Sequence, residues 1–235
     1  MAILLIFWYL LAIGLKTPAL PAPWAALTSF QKLFVSDLLP HLTVSFYRVV
    51  ISLTIATLLG APLGLWLGKN QKADEFSAPL IYITYPVPKV VFLPIFLILL
   101  GIGDASKIVL ITLTIFYIIL VTTRDAARNI PKEYILSVQS LKANRFALYR
   151  HVYFPACLPA ILTSLRLGLG IAMSVLFLVE TYATQEGIGF FIMNSWSSLA
   201  YNNMFAGSIA MGLMGFLLYL FLDACERVLC SWVHL

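Results

Sequence analysis

Three basic side chains stand in or beside long apolar runs: Arg48, Lys89 and Arg166. A charge at bilayer depth is costly unless it faces protein, water or a counter-charge, so each marks either a solute pathway or a structural pairing. Read as pathway groups, the three make a positive cavity suited to an anion such as a sulfonate or nitrate. Read structurally, Arg48 and Arg166 lie near helix ends, where long side chains snorkel or pair. Lys89 follows Pro86-Val87-Pro88 inside a proline-interrupted segment, and the acidic counterpart is mainly Glu180. Little else is reactive. Cys157, Cys225 and Cys230 have no metal-ligand spacing, and His41, His151 and His234 are far apart. No zinc-protease, Walker A or dinucleotide-binding pattern occurs, so nothing in the sequence points to an active site, metal or cofactor carried by this chain.

The elements that would position these residues are set by composition. Of 235 residues, 61% are apolar and 11% charged, against roughly a quarter charged in soluble domains. Mean hydropathy is +0.95. Too few charges are present to cover a water-facing surface, and apolar runs approach the roughly 20 residues that a helix needs to cross hydrocarbon. The reading is an all-α polytopic membrane protein with spans at about 2–15, 42–68, 79–101, 106–123, 155–181 and 204–224. An even number of crossings puts both termini on one side.

Charge placement orients the bundle. Arg124, Arg128, Lys132, Lys142, Arg145 and Arg150 crowd one connection, against only Asp125 and Glu133. Basic residues mark the cytoplasmic side, which also takes Lys69, Lys72 and both termini. Residues 1–41 are expected to hold the first membrane helix, retained rather than cleaved because no basic residue precedes it, and an external connection. With Pro18, Pro21 and Pro23, that connection is expected to be rigid and extended rather than helical. Residues 42–230 form the transmembrane domain. In it, Pro86, Pro88 and Pro94 predict a kinked or partly unwound third span beside a cavity, and Gly168-Leu169-Gly170 favours close helix approach.

The cytoplasmic stretch 124–154 is not a plain hydrophilic loop. Ile130, Ile135, Leu136, Val138, Leu141, Phe146, Leu148 and Val152 recur at helical steps among its charges, which predicts short amphipathic helices lying on the bilayer, under the bundle or against a partner.

At this stretch the chain resembles the permease subunit of bacterial ATP-binding-cassette importers, in the nitrate, sulfonate and taurine branch. That family carries a cytoplasmic signature of EAA, three residues, Gly, nine residues, then I-x-L-P. In register with it stand Leu136-Ser137-Val138, Lys142 and Val152-Tyr153-Phe154-Pro155, with Ala143-Asn144-Arg145-Phe146 similar to the family's Ala-Ser-Arg-Trp. FPACLPAILTSLRLGLG is similar to the opening of its fifth helix. LLPHLTVSFYRVV, YPVPKVVFLPIFLILLGIGDASKI and EGIGFFIMNS also resemble family segments, so the likeness covers about residues 18–230.

The resemblance implies a bacterial inner-membrane transport subunit, not an enzyme, that moves a small solute by alternating access. Its implied partners are two ATPase subunits that hold ATP and Mg, a second permease subunit of the same kind, and a periplasmic or lipid-anchored solute-binding protein. No nucleic acid is implied. It places ATPase coupling on Leu136, Leu141, Lys142, Arg145, Phe146 and Leu148. A pyrimidine or thiamine precursor is an alternative cargo in the same class. A stand-alone secondary carrier would call for inverted repeats and a membrane acidic pair, and neither is visible.

Overall fold

Long apolar runs leave the helix as the way to satisfy backbone amides in lipid. In the computed structural model, residues 2–141, 143–182 and 184–233 are described, and among them every regular element is helical. The order is α1 (Ala2–Leu15), α2 (Pro23–Leu33), α3 (Leu39–Lys69), α4 (Gln71–Thr84), α5 (Leu93–Leu100), α6 (Asp104–Arg128), α7 (Lys132–Ser140), α8 (Arg145–Leu148), α9 (Phe154–Glu180), α10 (Ile188–Ser197) and α11 (Tyr201–Leu229).

Four described helical runs are long and apolar enough to cross a membrane: Pro23–Lys69, Asp104–Arg128, Phe146–Glu180 and Tyr201–Leu229. The pair Gln71–Thr84 and Lys89–Leu100 passes the same test as one span bent by 80°. The apolar part of α1, Leu5–Leu15, is shorter. The third expected span is therefore broken where its prolines lie.

Two expectations need correction. Residues 16–41 are not an extended connection. Pro23 sits in the first turn of α2, where a missing amide costs nothing and the fixed φ suits the helix. From there the chain runs through a π-helical turn, Phe34–Leu38, directly into α3. The cytoplasmic stretch forms short helices, as its periodicity predicts: α7 ends at Ser140 and α8 starts at Arg145. A π-helical turn, Tyr149–Tyr153, then joins α8 to α9, so the fifth span begins several residues earlier than hydropathy suggests.

Helix α6 is the centre of the bundle, with α3 against one side and α9 against the other. The α3 face is made by Gly60, Gly64 and Gly68, four residues apart and so on one side of the helix. A Cβ at Gly64 would stand 2.7 Å from the Leu120 carbonyl oxygen, and one at Gly68 would stand 2.5 Å from that of Arg124. The two backbones touch where these residues have no side chain, as small-residue interfaces in membranes allow. On the other side, a Cβ at Gly168 would come within 3.1 Å of Ile115, whereas Gly170 faces open space. Of the Gly168-Leu169-Gly170 series, then, only the first member serves close approach. Val49, Ala56, Ile111, Ile115, Ala172 and Leu176 fill the core between the three helices. A smaller cluster of Leu38, Ile188, Ile192, Ala206 and Ala210 packs α10 and α11 on the start of α3.

Candidate transport pathway and coupling surface

The three sequence-selected basic residues occupy three separate clusters. Arg48 on α3 is 2% exposed. Its Nη1 donates to Glu180 Oε1 at 2.8 Å and to the Glu186 carbonyl at 3.1 Å, and its Nε donates to Asp104 Oδ1 at 2.7 Å. Nη2 lies 2.5 Å from the same Asp104 oxygen. The Tyr47 hydroxyl donates to the other oxygen of Asp104. Glu180, 0% exposed at the end of α9, also accepts from the Ser45 hydroxyl at 2.8 Å and from the Gly189 amide at 2.9 Å. Ser45 in turn accepts from the Ile188 amide at 2.8 Å. Gly187 has φ +108°, and a Cβ there would fall on the Glu180 carboxylate.

This cluster is a tie. A buried charge must be paired and hydrogen-bonded, and here α3, α6, α9 and the turn leading to α10 each supply a partner. Lys107, fully buried beside it, donates to the Ile102 and Gly103 carbonyls at 2.7 and 3.1 Å. Asp104, Lys107, Ser45 and Gly187 carried no signal in the chain order, because Arg48 and Glu180 are 132 residues apart.

Lys89 follows the break between α4 and α5. Its Nζ donates to the carbonyls of Thr84 at 2.5 Å, Val87 at 2.9 Å and Tyr85 at 3.1 Å, and lies 4.4 Å from the centre of the Tyr117 ring on α6. An ammonium has three protons, so this arrangement leaves none for a solute.

Arg166 on α9 pairs with two acids of α11, Glu226 at 2.5 Å and Asp223 at 3.1 Å, and donates to Thr163 Oγ1 at 3.2 Å. Asp223 also holds Arg227 at 2.8 Å. With a side chain 19% exposed, Arg166 is the most accessible of the three. Its two acidic partners are partly accessible as well, Asp223 at 24% and Glu226 at 11%. Among the described residues, no group of His, Cys, Asp and Glu is placed to hold a metal ion.

At the opposite end of the bundle, α4 is tied to α6 by Asp74, which lies 3.3 Å from Arg128 and 3.6 Å from Arg124. Beside this tie, the Lys69 ammonium sits 4.1 Å over the Tyr149 ring. A groove of about 840 Å³ lies there, lined by Trp66, Lys69, Asn70, Gln71, Lys72, Glu75 and Tyr149. Leu136, Leu141 and Phe146 are 62%, 80% and 72% exposed on the α7–α8 segment. Leu148 is not on that surface. It is buried in the core with Val152 and Tyr153, because on α8 it stands two residues, about 200°, from the exposed Phe146. Lys142 and the side chain of Arg145 lie outside the described residues. Apolar side chains this exposed, at the basic end of the bundle, form a patch of the kind that marks a protein contact.

Comparison with known proteins agrees with this geometry. Residues 54–233 match the family described as the binding-protein-dependent transport system inner membrane component. The chain is 34% identical to the taurine transport system permease protein TauC of Escherichia coli strain K12, over 99% of this chain and 87% of that protein. It is 26% identical to the nitrate import permease protein NrtB of Synechocystis, over 97% of this chain and 86% of that protein. Among solved structures it is similar to a chain of the MetNI methionine ABC transporter in an inward-facing conformation. That match has a TM-score of 0.66 and 18% identity and covers 79% of this chain and 93% of the other, a likeness of fold.

Proposed function

The chain belongs to the binding-protein-dependent transport system inner membrane components and is a permease subunit of an ABC importer, and from that premise we propose that it carries a small sulfonate such as taurine inward by alternating access. The observation that carries the choice of solute is the 34% identity to a taurine permease along almost the whole chain. Two ATPase subunits, holding ATP and Mg, would drive it from the cytoplasm. A second copy of the chain would complete the pathway, and a solute-binding protein would deliver the cargo. Neither carboxylate nor guanidinium acts on a bond here; the chain supplies a path and a lever. Taurine is a zwitterion, and Arg166 with Asp223 and Glu226 sets both charge signs beside one another where α9 meets α11.

The basic residues at the α7–α8 end support a cytoplasmic location for that end in a bacterial inner membrane, with both termini on the same side. In intact cells carrying Cys225→Ser, a cysteine at Ser197 is expected to react with an impermeant maleimide, and one at Ser140 only after permeabilisation. Labelling of position 140 in sealed cells would reverse the orientation.

The ATPase contact is assigned to the exposed patch of Leu136, Leu141 and Phe146, with Lys142 and Arg145 beside it and Leu148 bracing it from the core. Phe146→Asp sets a carboxylate in an apolar contact, where an unpaired buried charge is costly. A loss of affinity of about tenfold corresponds to only ~1.4 kcal/mol, so the variant should insert normally yet lose the ATPase during purification. Leu148→Asp should instead reduce the yield of folded chain. If F146D retains the ATPase as the parent does, the contact lies elsewhere.

Co-purification with the ATPase and binding protein, followed by mass spectrometry of retained small molecules, tests the solute. A bound sulfonate is the expected result. A pyrimidine or thiamine precursor would overturn the choice of cargo while leaving the importer intact.

A further inference from the structure

The break between α4 and α5 is a chemical problem with a visible solution. In a helix, the carbonyl of one residue is met by the amide four residues on. For Thr84 that residue is Pro88, which has no amide proton. The nearest backbone donor, the Val87 amide, reaches the Thr84 oxygen only at 3.3 Å. Tyr85 and Val87 lose their helical partners as well, because the chain turns by 80° across residues 85–88. Buried carbonyls without donors are not tolerated where lipid surrounds the backbone.

Lys89, the next residue after Pro88, sends its side chain back to these three carbonyls, one proton for each. They lie at the C-terminal end of α4, the negative end of its dipole, where a cation is favoured. The Tyr117 ring covers the remaining side of the ammonium and links it to the central helix α6. Lys107 also donates to backbone carbonyls, those of Ile102 and Gly103, but these belong to the turn that opens α6, where no proline has removed a donor.

We propose that Lys89 is a positioning residue: its ammonium replaces the amide donor that Pro88 removes, and so fixes the break and the direction of α5 against α6. This role rests on the reading that the break lies within a membrane span. It assigns Lys89 to the backbone rather than to the solute, and it explains why a lysine follows the second proline.

The test is a suppression experiment on the full-length chain in detergent, read by thermal midpoint and by the monodisperse fraction. It does not depend on transport, so its outcome is separable from the identity of the cargo. Lys89→Met keeps an unbranched side chain one atom shorter and removes the charge and its donors. It should lower the midpoint by about 5 °C or more. Pro88→Ala restores an amide in register with the Thr84 carbonyl, and the P88A/K89M double variant should recover at least half of that loss. Lys89→Arg, which retains donors, should also recover part of it. If K89M cannot be purified, recovery of the double variant in quantity would be the expected result. The proposal is overturned if K89M matches the parent in midpoint, or if P88A/K89M is no more stable than K89M alone. It is equally overturned if K89M leaves stability unchanged and raises only the half-saturation concentration for taurine uptake.

Discussion

Replacing Arg48 with methionine is expected to prevent the chain from accumulating in folded form. The substitution removes the guanidinium that meets Glu180 at 2.8 Å and Asp104 at 2.7 Å, and leaves a fully buried carboxylate without its ion-pair partner, held only by the Ser45 hydroxyl and the Gly189 amide. Breaking a buried ion pair by deleting one partner costs about 3–5 kcal/mol, a large share of the stability of most domains. The damage extends to the turn before α10. Glu180 accepts from the Gly189 amide, and Ser45, on the same carboxylate, accepts from that of Ile188, so a displaced carboxylate takes the start of α10 with it. The double variant Arg48→Met, Glu180→Gln should be better folded than Arg48→Met alone, since glutamine keeps an acceptor and carries no charge. Size-exclusion profiles and thermal midpoints of the three proteins check this. An R48M protein with the midpoint of the parent would show that the tie does not hold the bundle.

A comparable loss is expected from Gly64→Leu. The Cβ alone would meet the Leu120 carbonyl at 2.7 Å and Thr123 Cβ at 2.8 Å. A carbonyl that belongs to α6 cannot rotate aside as a side-chain tip can, so α3 and α6 must separate. Overfilling a packed site costs roughly 1–3 kcal/mol when side chains can adjust, and here the obstacle is backbone. The same separation would pull Gly60 and Gly68 off α6 and open the main interface of the protein. Gly14→Ala is the control. It has no atom within 4 Å of the added methyl, and alanine favours the helix by up to ~1 kcal/mol. Equal yields of monodisperse G64L and G14A proteins would contradict the close-approach account.

These two sites mark where the sequence could and could not be read. Composition alone identified lipid as the solvent, and the apolar runs located four spans and the broken one, while the first expected span, 2–15, is among the described residues only a shorter apolar helix. The span ends were missed by a few residues because helices such as α6 and α11 continue past the hydrocarbon on polar residues, which hydropathy does not register. The break in the third span was legible from Pro86, Pro88 and Pro94. That Lys89 bends back to cap it was not, because the same lysine in chain order fits an anion pathway equally well. Gly60, Gly64 and Gly68 were legible in principle: spacing by four puts all three on one face, whereas spacing by two at Gly168 and Gly170 puts only one toward α6. The partnership of Arg48 with Asp104 and Glu180 needed the fold, since no local pattern relates residues on three different helices. In the cytoplasmic segment, periodicity predicts short helices but does not say which apolar residues face inward: Phe146 and Leu148 stand two apart on α8 and so point to opposite sides, Leu148 into the core and Phe146 outward like Leu136 and Leu141.

The most direct measurement is uptake of labelled taurine into vesicles containing the chain, its ATPase and its binding protein, with ATP supplied on the side of α7 and α8. The account predicts accumulation that requires ATP and the ATPase and stops when ADP replaces ATP. Accumulation that persists without the ATPase, driven by an ion gradient alone, would contradict it.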